Sequence, residues 1–84
     1  MRAHDILPDH INQTDIGGVT VRKGSVAAFL GNAHTLADPS AGDEARAQAQ
    51  THIRELLPAL RALGLFEVLQ IRDPALRAWI ESTE

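Results

Sequence analysis

Cysteine is absent from all 84 residues, which removes disulfides, thiolate zinc ligands and any thiol nucleophile. A secreted domain this short generally depends on such staples, so the composition predicts a reducing, cytoplasmic setting. Aromatic residues are scarce, with Phe29, Phe66 and Trp79 making up the whole set. The core must therefore be aliphatic, with those three rings as its largest anchors. Lysine occurs once, at Lys23, against seven arginines, and the net charge is −3. That mild acidity argues against nucleic acid as a partner, because such binding rests on basic patches that release counterions. No apolar run approaches the roughly 20 residues of a membrane span. Met1 to Asp5 lead into no apolar signal core, and the expectation is a soluble chain with no membrane partner.

Aliphatic residues supply most of a 44% hydrophobic fraction, which is too high for a disordered chain. Thirteen alanines beside the arginine excess suggest GC-rich coding and a bacterial source. At this length the chain is expected to form a single small domain over 1–84, burying about 60% of its unfolded surface. Residues 1–15 are polar and expected to be loosely ordered, with Ile6, Leu7 and Ile11 on a short helical turn that has Pro8 near its start.

Between Asp43 and Leu63 the periodicity is clear. Ala45, Ala49, Ile53, Leu56, Leu57, Leu60 and Leu63 recur at steps of three and four, with charged and amide residues between them. This spacing predicts an amphipathic helix, with Leu56 and Leu60 in the core and Arg61 on the polar face. Pro58 removes a backbone donor and meets the carbonyl of Arg54, so a kink or break near Leu57 is expected. Gly64 then ends the helix.

Upstream, Val19 and Val21 alternate with Thr20 and Arg22, and Gly17-Gly18 suits a tight hairpin turn. Ser25 is placed as the N-cap of a helix carrying Val26, Phe29, Leu30, Ala33 and Leu36 at helical spacing. Gly31 lies inside that run, as a conformational device or a site of close packing. Residues 38–43 form the linker, with Asp38 or Ser40 expected to cap the long helix. Residues 65–71 fit a helical stripe or a buried strand, the helix being favoured because alternation is poor. Asp73-Pro74 opens a last short helix whose apolar side is Ala75, Leu76, Trp79 and Ile80. The fold expected is mainly α, three to four packed helices with a short N-terminal hairpin or extended segment. The alternative is α+β, with residues 65–71 as a strand pairing with 19–22.

Signals for chemistry are sparse. His4, His10, His34 and His52 have no metal-binding spacing, so no metal or other cofactor is expected. No nucleophile elbow occurs, and no catalytic residue is assigned. Arg22-Lys23-Gly24-Ser25 joins a strand to a helix N-terminus, where cations, a hydroxyl and free amides suit an anion, although no Walker pattern is present. The first functional reading is a small non-enzymatic interaction or assembly module, docking on another protein or on itself. The second is an anion-binding or regulatory domain using Arg22, Lys23, Gly24 and Ser25. A small enzyme using His10 or His34 with a carboxylate comes last.

Overall fold

The computed structural model describes residues 1–83. Three helices of two or more turns and two single-turn helices account for most of them: α1 (Ala3–Ile6), α2 (Ser25–Ala37), α3 (Asp43–Leu63), α4 (Leu65–Val68) and α5 (Pro74–Glu81). Two short strands, β1 (Gln13–Ile16) and β2 (Val19–Arg22), complete a mainly α domain. The strands pair antiparallel, with Gln13 opposite Arg22 and Ile16 opposite Val19. Gly17 and Gly18 link them at φ 57° and 83°, the positive pair that a tight hairpin turn requires. Among the described residues this is the only sheet, so residues 65–71 do not pair with 19–22. They divide instead into the turn of α4 and a stretch without regular structure that begins at Leu69, itself extended (φ −116°, ψ 139°).

The α3 stripe organises the core. Ile53, Leu57 and Leu60 are completely covered, and Phe29 of α2 and Ile80 of α5 close on them. Leu56 and Trp79 are half-buried against this cluster rather than inside it. Phe29 and Phe66 meet edge to face, ring centroids 5.9 Å apart, which fixes α4 on α2. The Arg54 guanidinium lies 5.1 Å from the centre of the Trp79 ring, covering that side chain's outer face.

Of the kink or break expected near Leu57, the break does not occur: α3 is a single helix through Pro58. Pro58 is exposed while Leu57, Ala59 and Leu60 are buried. The missing donor therefore falls on the solvent side, where water can satisfy the Arg54 carbonyl, and burial on the opposite side holds the helix together. Pro8 follows the first helical turn rather than starting it, since α1 ends at Ile6.

Neither Asp38 nor Ser40 caps α3. Its N-cap is Gly42, with no side-chain bond, and Asp43 and Glu44 in the first turn complement the helix dipole. The Asp38 carboxylate accepts from Ser40 Oγ (2.7 Å) and from the Ser40 amide (2.9 Å), an Asx turn that ends α2. These bonds, with a smaller contribution from Arg46, hold the Asp38 carboxyl below its ordinary pKa. Arg46 fastens the same corner by donating to the carbonyls of Ala41 (3.1 Å), Leu36 (3.2 Å) and Asp38. At the other end of α3, Gly64 is the C-cap, as expected. Asp73 caps α5 through the amides of Ala75 (2.9 Å) and Leu76 (3.3 Å), with Pro74 in the first turn.

Arg61 sits on the polar face of α3, yet its guanidinium reaches across to the carbonyls of Ile80 (3.3 Å) and Thr83. It thereby pins the end of α5 to the core helix. Urea unfolding should show Leu60→Ala losing about 2–5 kcal/mol through a buried cavity. Arg61→Ala should lose about 0.5–1.5 kcal/mol by removing this fastening, more than an ordinary surface change, with the Ile80 carbonyl still accepting from the Thr83 amide (3.1 Å). A neutral Arg61→Ala would show that the clamp does not form in solution.

Candidate functional site

The sequence singles out Arg22, Lys23, Gly24 and Ser25, and the structure brings them to the turn between β2 and α2. Gly24, at φ 90°, is the N-cap of α2, a backbone state that residues with a Cβ rarely adopt. Ser25 is the first helical residue rather than the cap, and its buried Oγ donates to the Arg22 carbonyl at 2.7 Å. The hydroxyl is thus engaged in closing the turn. Lys23 Nζ donates to the carbonyls of Pro8 (3.0 Å) and Asp9 (2.9 Å), while its amide donates to Asn12 (2.7 Å). The single lysine ties the N-terminal segment to the hairpin. Arg22 is exposed, and among the described residues no carboxylate pairs with it. An open, largely apolar concavity of about 470 Å³ lies beside this turn, lined by Leu7, Ile16, Val21, Val26 and Leu63 among others.

A second concavity runs along α2 and shares Val26 with the first. It measures about 400 Å³ and runs between α2 and residues 65–73. Its floor is Phe29, Phe66 and Leu76, and its walls include Val26, Leu30, Ala33 and Leu69. His34, Gln70, Arg72 and Asp73 form its polar rim. Leu30 is 51% exposed and Leu69 58%, so both walls present large apolar groups to solvent. Sequence periodicity placed Val26 and Leu30 on the same helical stripe as Phe29. The structure buries Phe29 and leaves the other two outside, because one side of α2 meets α3 and none of the described residues covers its flank.

Helix α2 has a further property. None of its 13 residues is Asp, Glu, Lys or Arg, although Val26, Ala27, Ala28, Leu30, Gly31, His34 and Ala37 are exposed. A Cβ placed on Gly31 would meet no atom within 4 Å, so close packing inside the chain does not explain that glycine. The histidines stay apart: His10 and His52 are exposed, and His34 stands at the groove rim. Among the described residues no three His, Cys, Asp or Glu side chains gather around a common point. His4 pairs with its neighbour Asp5 at 3.6 Å on the surface. No helix of the described residues is long and apolar enough to cross a membrane.

Comparison with protein-family models, with curated proteins and with solved structures finds no match to this chain.

The contacts around Lys23 give a test of its structural part. Lys23→Met should speed amide exchange across residues 9–12 and leave α3 protected, whereas Arg22→Ala should leave both unchanged. Equal protection in the Lys23→Met and parent proteins would mean that the lysine is free in solution.

Proposed function

We propose that this chain is a small non-enzymatic interaction module that docks through the exposed flank of α2. The observation that carries the reading is an uncharged helix face beside an apolar groove. Surface helices ordinarily place charged groups on the outer face, as α3 does with Glu44, Arg54, Glu55 and Arg61. Helix α2 exposes Val26, Leu30, Ala27 and Gly31 instead, with Leu69 opposite. Contiguous apolar surface of this kind marks binding sites more often than inert surface. A groove walled by a helix and the segment 65–73 suits the apolar side of a partner helix, anchored at helical spacing. The mildly acidic charge favours protein over nucleic acid as the partner. The cysteine-free, arginine- and alanine-rich composition supports placing such a module in a bacterial cytoplasm.

The anion reading has less support. Ser25 and Lys23 already bond to main-chain carbonyls, which leaves Arg22 and the first-turn amides of α2 for a ligand. An enzyme built on His10 or His34 has less still, since neither is hydrogen-bonded to a carboxylate among the described residues.

The test is a titration with a synthetic amphipathic leucine–alanine helix, followed by amide and methyl chemical shifts at low protein concentration. Shifts should cluster on Val26, Leu30, Leu69 and Phe66, and Leu30→Asp should weaken binding at least about tenfold, as expected for an anchor at the centre of a site. Scattered shifts, or none, would contradict the reading.

A further inference from the structure

We infer that residues 1–11 form a strap, latched by the Lys23 ammonium over the apolar concavity beside the β2–α2 turn, and that neutralising this ammonium opens it. The inference does not rest on the interaction-module reading.

The first argument is the tether. Among residues 1–12 whose side chains are described, none is buried, and Leu7 alone is partly covered. Burial therefore does little to hold this segment in place. Among the described residues, every hydrogen bond that joins it to the rest of the chain comes from Lys23. Nζ donates to the Pro8 and Asp9 carbonyls, and the amide donates to Asn12. The amide bond extends the hairpin one step past the Gln13–Arg22 pair, so it fixes where the strap leaves the sheet. Where the strap lies depends on the ammonium.

Local geometry prepares the catch. The Ile11 amide donates to the Pro8 carbonyl at 2.9 Å and closes a turn over residues 8–11. That turn brings two successive carbonyls onto one donor group. A carbonyl oxygen has two lone pairs, so Pro8 accepts from Ile11 and from Lys23 together. Bonds from an ammonium are roughly twice as strong as neutral ones, and its three donors can serve both oxygens.

The latch and the concavity belong to one place. Leu7 and Asp9 supply the strap side of this hollow of about 470 Å³, and Lys23 lines it too. Ile16, Val21, Val26 and Leu63 make up most of its apolar lining. Lifting the strap removes one wall and turns the hollow into an open apolar corner between the hairpin, α2 and the end of α3.

The trigger is chemically simple. Lys23 is exposed and is the sole lysine of the chain, so lysine acylation has one side-chain target. The ammonium first loses a proton to solvent, and the amine attacks the acyl carbon of an activated ester such as N-hydroxysuccinimidyl acetate. A C–N bond forms, the C–O bond to the leaving group breaks, and N-hydroxysuccinimide departs with the second proton. A cation with three donors becomes a neutral amide with one, and the two carbonyls lose their shared partner.

The experiment compares the parent chain, Lys23→Gln and the acetylated parent by nitrogen-15 relaxation, amide exchange and methyl spectra. In the parent, the amides of residues 4–11 should be as ordered as those of the hairpin. In both neutralised forms their order parameters should fall below about 0.6, against about 0.85 for rigid backbone. The Ile11 amide should exchange at least about tenfold faster. The methyls of Ile16, Val21 and Leu63 should shift, while the amides of residues 53–60 keep their protection. The reagent also reaches the Met1 amine; treating Lys23→Gln reaches that amine alone and should change nothing more. If Lys23→Gln does not fold, the parent acetylated after folding carries the test.

A strap already mobile in the parent overturns the inference, and so does one that stays ordered in both neutralised forms. Release of the strap without movement of the Ile16, Val21 and Leu63 methyls also overturns it, since the segment then covers nothing there.

Discussion

Everything in this domain is arranged around one apolar stripe on α3. Ile53, Leu57 and Leu60 are completely buried, and the hairpin, α2, α4 and α5 each find their place against that helix or its immediate neighbours. A chain of this length has room for a single such spine, because its surface is large relative to its interior. The arrangement has a geometric consequence. Elements that pack on one central helix are covered on their inner side alone, and the shortest connections give the least cover. Residues 65–72 hold only one turn of helix, and they leave the flank of α2 open.

Arginine performs a task here that ion pairs are often assumed to perform. Arg46, Arg61 and Arg77 donate to main-chain carbonyls at the ends of helices or in the adjoining loops, and Arg54 covers the Trp79 ring. Among the described residues none of these guanidiniums pairs with a carboxylate. The chemistry suits the position, since the last carbonyls of a helix lack partners within it and carry partial negative charge. A planar guanidinium with several donors can satisfy two or three at once, which an ammonium on a flexible stem does less well. The arginine-rich composition thus has a structural use as corner fastening.

Features set by local chemistry were legible in the sequence. The α3 stripe, the Gly17-Gly18 turn, the Gly64 stop and the Asp73-Pro74 start all depend on residues within a few positions of one another. Features set by distant partners were not. Arg61 reads as a polar-face residue until α5 arrives 19 to 22 positions later in sequence. Ser25 has the composition of a cap, but the turn into α2 needs the positive φ of Gly24, which moves the cap one residue earlier. Residues 65–71 resisted assignment because they are one turn of helix followed by three residues without regular structure. At the candidate site, the residues Arg22 to Ser25 were visible as a cluster, while their engagement with Pro8, Asp9 and Arg22 carbonyls was not. The α2 groove was missed for a related reason. Periodicity shows that Val26, Phe29 and Leu30 share a stripe, but the width of the covering element decides which of them reaches water. The signal that was available is the complete lack of charge from Ser25 to Ala37.

Native-state hydrogen exchange tests the central role of α3 most directly, using amide protection as a map of local stability. The amides of residues 53–60 should be the slowest in the chain and should exchange only through global unfolding, with the hairpin and α5 opening at lower cost. Residues of α2 facing α3, Phe29 above all, should follow the α3 amides more closely than those of the open flank. If the slowest amides lay instead in the hairpin or in α5, α3 would not be the element that holds the fold together.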